Sequence, residues 1–126
     1  IIDIDHFKKV NDTYGHPAGD RVIKNLSRLL KQRLRGADVI GRYGGEEFAL
    51  ALPDTPIGVA LGVINSLRES FAAIEQHAGN ATFQNTFSAG VAQSPPLMDA
   101  EALIKAADEA LYASKHGGRN RVTAAG

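Results

Sequence analysis

The sequence predicts an α+β fold: a mostly antiparallel sheet flanked by helices, in a ferredoxin-like split βαβ arrangement with additions. Three observations predict it. The chain opens on a strand-like run, "IIDID". Strand-like runs then alternate with long segments whose apolar residues recur at helical spacing. A hairpin pattern, "DVIGRYGGEEFALAL", stands in the middle and excludes a purely parallel sheet. The predicted order is β-α-β-β-α-β-α-β, without repeats, low-complexity runs or an internal linker.

Each element has its own reason. In "IIDID", Ile2 and Ile4 face one way and Asp3 and Asp5 the other, because side chains alternate along a strand. "HFKKVNDTYGH" leaves that strand as a tight turn or short helix. Residues 16–34 read as a helix: Pro17 suits its first turn, and Val22, Ile23, Leu26, Leu29, Leu30 and Leu34 form one apolar stripe. Gly44-Gly45 reads as a two-residue hairpin turn, since glycine accepts positive φ without strain, and Pro53 ends the hairpin. The segment from 56 to 78 carries Val59, Val63, Ile64, Leu67, Phe71 and Ile74 as a second long helix, weakened by Gly58 and Gly62. "TFQNTFSAGVA" reads as one strand with a bend, and Pro95-Pro96 as a turn. Residues 99–115 read as a helix with Asp99 as N-cap and Leu103, Ile104, Ala107 and Leu111 inward. Gly117-Gly118 stops it, and "NRVTA" supplies a last strand.

Composition sets the bounds. The 126 residues suffice for one domain with a real core. Net charge is zero, so there is no basic field of the kind that binds nucleic acid, and no long apolar run suggests a membrane span. The absence of cysteine excludes a disulfide framework and a cysteine-based metal site. The opening inside a strand, with no Met and no targeting signal, reads as a piece of a longer protein.

The carboxylates give the first chemical reading. If the first strand and the second hairpin strand are neighbours, Asp3 and Glu46 converge at one edge of the sheet. Carboxylates brought together repel unless a cation sits between them, and all-oxygen ligation suits Mg²⁺ or Mn²⁺. The plainer alternative is that these acids are solvated strand ends, or pair with Lys8 and Arg42. Free amides at the helix start after the first strand can hold phosphate oxygens. Lys115, Arg119 and Arg121 in "SKHGGRNR" supply basic donors around flexible glycines, unless they only complement a helix C-terminus.

Together, "DIDHFKKVNDTYGHPAGD", "RGADVIGRYGGEEFAL", "FSAGVA" and "ADEALYASKHGGRNRV" resemble the GGDEF domain of diguanylate cyclases, in order and over nearly the whole chain. The family's first helix, with its Leu-Thr-Gly-Leu and Asn-Arg-Arg signatures, has no counterpart, so residues 1–126 read as a single such domain truncated at its N-terminus. The resemblance implies the nucleotidyl-cyclase palm sheet and the condensation of two GTP into cyclic di-GMP and two pyrophosphates at the interface of a homodimer. It implies that Glu46 is catalytic and binds metal with Asp3 and the carbonyl of Ile4, the ion being Mg²⁺ or Mn²⁺. Gly44 and Gly45 then lie against the nucleotide, and their missing side chains leave room for it.

The same resemblance assigns the remaining substrate contacts. Asp20 accepts from the N1 and N2 donors of guanine, a pair that adenine lacks, and Asn11 both donates and accepts at the same edge. His16 lines that pocket, Phe7 and Lys8 offer backbone amides to phosphates, and Lys115 and Arg119 grip the distal phosphates. Arg35 and Asp38 form an RxxD pair, with five residues between Asp38 and Gly44. This matches the family's product-inhibition site for cyclic di-GMP, to which Arg68 contributes from a neighbour. Glu47 is left without a role by strand alternation, and Asp5 is expected to hold the following loop. The expected setting is a cytoplasmic domain behind an upstream sensory or receiver module, in a protein that is soluble or membrane-anchored. Two rivals remain: a silent domain that binds GTP or cyclic di-GMP, and a single-nucleotide cyclase such as an adenylyl cyclase.

Overall fold

A computed structural model describes residues 1–97 and 99–126. The elements run β1 (Ile2–Ile4), α1 (Phe7–Tyr14), α2 (His16–Arg33), β2 (Val39–Arg42), β3 (Glu47–Ala51), α3 (Ile57–Ala73), β4 (Gln76–Ala78), β5 (Ala81–Phe83), β6 (Phe87–Val91), α4 (Ala100–His116) and β7 (Val122–Ala124). Five strands form one sheet in the order β2-β3-β1-β6-β7. All its pairings are antiparallel except β6 with β7, which α4 connects as a crossover. The expected α+β class and the adjacency of β1 and β3 both hold. No helix among the described residues is long and apolar enough to cross a membrane.

The alternation read in β1 sets the two faces. Ile2 and Ile4 enter the main core with Phe48, Phe87, Leu26, Leu30, Leu67 and Phe71, which α2 and α3 cover. Phe48, Phe71 and Phe87 are fully buried, each contributing roughly 1.5–3 kcal/mol of transfer free energy. The α2 stripe is inward at Val22, Ile23, Leu26 and Leu30, with Leu29 and Leu34 packed at its margin. On the other face of the sheet, α4 lies over β6 and β7 through small residues: Ala107, Ala110, Leu111 and Ser114 are buried. Ile104, expected inward, is 39 % exposed. The closest approach of helix to strand centres on residues 107–111, and Ile104 lies before it.

Gly90 explains the glycine of "FSAGVA". A Cβ there would collide with the carbonyl oxygen of Ala107 and the amide of Leu111. The α4 backbone thus rests directly on β6, and Ser114 Oγ adds a bond to the carbonyl of Ala89 at 2.8 Å.

Two expected elements divide. The helix expected over 56–78 ends at Ala73, and Gln76–Ala78 instead pairs with Ala81–Phe83 in a separate two-stranded hairpin. Gly79 at φ 61° makes that turn, and the hairpin leans on the helices. Arg21 donates twice to the carbonyl of His77, Asn25 donates to Gln76 Oε1 at 2.7 Å, and Tyr14 stacks on Phe83. Correspondingly, the single strand expected over 82–92 splits into β5 and β6, because its first part pairs with β4 and only its second part with β1.

The two kinds of glycine should respond oppositely to a methyl group. Gly90→Ala should lower the unfolding free energy by about 1–3 kcal/mol or more, since backbone atoms must move. Gly62→Ala, inside α3 with open space at its Cβ, should raise it by about 0.5–1 kcal/mol. Urea denaturation of both variants beside the parent chain checks the signs.

Candidate active site

The central strand β1 places Asp3 and Asp5 on the face that α4 covers. Asp3 is only 4 % exposed, and Lys115, in the last turn of α4, bonds its Oδ2 at 2.5 Å. Neither Lys8 nor Arg42 takes that role; Arg42 donates to the carbonyl of Gly45. The register pairs Asp3 with Ser88 on one side and with Glu47 on the other. Residues directly opposite in an antiparallel pair share a face, so Glu47 is the acid beside Asp3. Burial, and next the negative charge of Asp3, raise the Glu47 carboxyl above its ordinary value, while Lys115 pulls it back. Glu46 lies one residue earlier, opposite Ile4, whose amide donates to the Glu46 carbonyl at 3.2 Å. Alternation along the strand separates Glu47 from Glu46, but only the strand register places it beside Asp3.

The loop ahead of Glu47 differs from the expected turn. Pairing continues to Tyr43, whose amide donates to the Glu47 carbonyl at 2.8 Å, so the connection is Gly44-Gly45-Glu46. Neither glycine has positive φ, so the turn does not demand glycine on that ground. A Cβ on Gly45 would meet nothing within 4 Å, and one on Gly44 would make only ordinary contact with Glu47. Nothing inside the chain requires either position to be bare.

Directly after β1, α1 begins at Phe7 with no side-chain cap. The amides of Phe7, Lys8 and Lys9 find no hydrogen-bond partner among the described residues, as expected of the first turn of a helix. Gly15, at φ 91°, turns the chain from α1 into α2. Gly19 then lets the helices close: a Cβ there would collide with Asn11 Oδ1. That oxygen is buried without a hydrogen-bond partner among the described residues. Asp20 and His16 are exposed in the first turns of α2, and Lys8 is exposed on α1. The expected base-binding and phosphate-binding residues therefore share one α1–α2 corner that opens from the end of β1.

The basic loop after α4 returns to the same strand end. Arg119 is exposed, and Asp5 accepts the amide of Asn120 at 3.0 Å. Arg35 and Asp38 stand apart, at the end of α2. Arg35 grips both oxygens of Asp38, with the shortest contact at 2.7 Å, and also donates to the carbonyl of Pro53. These bonds from Arg35 hold the Asp38 carboxyl below the usual range. Arg68 bonds Asn65 and Asn120, not this pair.

Among the described residues no group of three or more His, Cys, Asp or Glu side chains forms a metal cage. Asp3 and Glu47 still fit Mg²⁺, which is commonly held by one or two carboxylates together with substrate phosphates. Lys115 already neutralises the buried Asp3, and a second cation would relieve Glu47.

The raised Glu47 carboxyl predicts a pH effect. Its ionised form is disfavoured in the folded chain, so the stability tied to this group is fully present below the ordinary glutamate range and is lost as pH rises through the folded value. Glu47→Gln should therefore stabilise the chain at neutral pH, and the gain should vanish in mild acid. Melting temperatures of both proteins across that range measure it; an equal gain at every pH contradicts it.

The fold agrees with comparisons to known proteins. The model of the diguanylate cyclase GGDEF domain matches residues 1–121. The diguanylate cyclase DgcP of Pseudomonas aeruginosa is 42% identical over 125 residues, covering 99% of this chain and 19% of that protein. DgcM of Escherichia coli K12, another diguanylate cyclase, is 44% identical over 125 residues, 99% of this chain and 30% of that one. The chain thus spans a third or less of the length of these curated relatives. The GGDEF domain of DgcB from Caulobacter crescentus, solved in complex with cyclic di-GMP, superposes with a TM-score of 0.91 at 38% identity, covering 98% of this chain and 74% of that one. With its matched motifs, palm-type sheet and site corner in place, the chain belongs to the diguanylate cyclase GGDEF domain family.

Proposed function

We propose that the chain is a diguanylate cyclase domain that condenses two GTP into cyclic di-GMP. One observation supports this above the others. The acidic pair Asp3 and Glu47, countered by Lys115, adjoins the uncapped start of α1 at one strand end. Cation-binding and phosphate-binding elements thus meet within a few residues.

In this reading Asp3, Glu46, Glu47 and the Ile4 carbonyl would hold Mg²⁺ or Mn²⁺ with the triphosphate. Bound there, the ion would supply Lewis-acid polarisation of the α-phosphate and neutralise charge on the leaving pyrophosphate. The amides of Phe7 and Lys8 take phosphate oxygens, and Lys115 and Arg119 take the distal ones. Lys115, bonded to Asp3 here, would exchange that bond for a distal phosphate once Asp3 served the ion. The open face of Gly44 and Gly45 leaves the nucleotide room against the loop. Asn11 and Asp20 read guanine, with His16 at the rim; the unpartnered Asn11 oxygen accepts from the base. Glu46 removes the proton of the 3′-hydroxyl. That oxygen bonds to the α-phosphorus of the other nucleotide, the bond to the bridging oxygen breaks, and pyrophosphate leaves with the electron pair. One domain holds one GTP, so two copies must face each other with two-fold symmetry. An upstream sensory or receiver module would set that encounter.

Glu46→Gln keeps the shape and removes the base. Cyclic di-GMP formation at saturating Mg²⁺ should fall at least ~100-fold, the low end of general acid–base effects. Mass analysis of products from GTP and from ATP reads the reaction. Near-parental turnover in the variant overturns the role of Glu46. A product from ATP supports a single-nucleotide cyclase, and binding of GTP without product supports a silent domain.

The Arg35–Asp38 pair is the proposed product site, where the planar guanidinium suits a phosphate or guanine edge, and Arg68 of a neighbouring copy completes it. Arg35 must then release part of its grip on Asp38 and Pro53 to take the ligand. Product held there favours the separated arrangement of two domains over the productive one. Arg35→Ala should weaken inhibition by added cyclic di-GMP while leaving GTP turnover near the parental level. Initial rates against added product compare the two; identical inhibition constants reduce the pair to a helix-end brace.

A further inference from the structure

Asp5 is 3 % exposed, carries a carboxylate, and has no cation bonded to it among the described residues. Its oxygens are satisfied by donors alone: Thr86 Oγ1 and Asn120 N on Oδ2 at 2.7 and 3.0 Å, and Ser88 Oγ on Oδ1 at 2.7 Å. Two of these donors are hydroxyls on or beside the neighbouring strand, which can rotate to other partners. The third is a backbone amide from the loop after α4, and an amide can only donate.

That loop is strained. Gly118, Arg119 and Asn120 have φ of 121°, 65° and 48° in succession. Glycine is at ease there and asparagine tolerates it, but arginine adopts it rarely, and such a residue persists when its surroundings over-determine it. The surroundings are visible. Asn120 is held at its amide by Asp5 and at its side-chain oxygen by Arg68 Nη1 at 2.7 Å. The amide of Arg119 donates to Ser114 at 3.0 Å, and Arg121 Nε donates to the carbonyl of Arg119 at 3.1 Å. The arginine in the strained position is the one whose exposed side chain the proposed reaction needs.

We infer that Asp5 is a positioning residue: it clamps the Asn120 amide, and so holds the left-handed stretch that presents Arg119, beside Lys115, to the triphosphate. The inference rests on the cyclase reading for its ligand and on this hydrogen-bond set for its geometry. Arg68 has a second duty within its own copy, since it closes the clamp from α3.

The chemistry of the site separates the clamp from a mere need for charge. In Asp5→Asn the amide oxygen can take the place of Oδ2 and keep the Asn120 bond, while its nitrogen faces Ser88 Oγ, which rotates to accept. In Asp5→Ala no acceptor remains. Hydrogen exchange at the Asn120 amide and the dissociation constant for GTP, measured on the same chains, read the two ends of the inference. In Asp5→Ala, Asn120 should exchange at least about tenfold faster with β6 amides unchanged, and GTP should bind about tenfold more weakly, the scale of one lost bond to a charged group. Asp5→Asn should stay within about threefold of the parent in both, the size of a neutral-for-charged exchange. Equal behaviour of the two variants, or unaltered Asn120 exchange in Asp5→Ala, overturns the clamp. Should Asp5→Ala fail to fold, Asn120→Ala leaves the buried acid in place and removes both the Arg68 bond and the tolerance of positive φ. It should weaken GTP binding, and parental affinity there overturns the inference. A parent chain that binds GTP but forms no cyclic di-GMP overturns the cyclase reading alone, because exchange and affinity are read without turnover.

Discussion

Two carboxylates, one in the central strand of the sheet and one just past its end, are expensive to bury, and the molecule is arranged around satisfying both. An ionised group taken from water costs several kcal/mol or more unless it is paired or fully hydrogen-bonded. Asp3 is answered by a cation from α4 and Asp5 by donors from β6 and the loop after α4. Both solutions require α4 to end at one height above β1. The close contact at Gly90 fixes that height, so a packing constraint on this face of the sheet decides the electrostatics at the end of its central strand.

The α1–α2 corner follows the same economy of contacts. An eight-residue helix is marginal alone in water. Here α1 is held by Val10 in the core, by the close approach at Gly19, and by the stack of Tyr14 on Phe83. The β4–β5 hairpin is marginal by itself too. It is steadied by Arg21 and Asn25 of α2, and it steadies α1 in return. The face that would read a base therefore rests on two weak elements that support each other against a strong one.

Much of this was legible in the sequence, for reasons that can be named. The alternation of "IIDID" gave both faces of β1, because a central strand has no choice about which residues enter the core. The apolar stripe of residues 16–34 predicted α2 nearly to its ends, and Asp99 caps α4 through the amide of Ala102. The misses share a cause: they depend on partners distant in sequence. Gln76–Ala78 is too short and too polar to announce a strand, and pairs only because β5 lies beside it. Glu47 looked idle since alternation compares it with Glu46 in the same strand, whereas its position is set by register against β1. The role of Gly90 could not be read at all, because a glycine required by the packing of the next helix resembles any other strand glycine.

The seating of α4 on Gly90 also limits how the chain can vary. An α-helix advances about 1.5 Å and turns about 100° per residue. Lys115 lies only four residues beyond Leu111, the far end of the contact with Gly90. Inserting or deleting one residue in that short span would swing the ammonium around the helix and away from Asp3, with the sheet and core untouched. Loops elsewhere can lengthen at small cost, but this single turn of helix behaves as a fixed ruler between fold and charge.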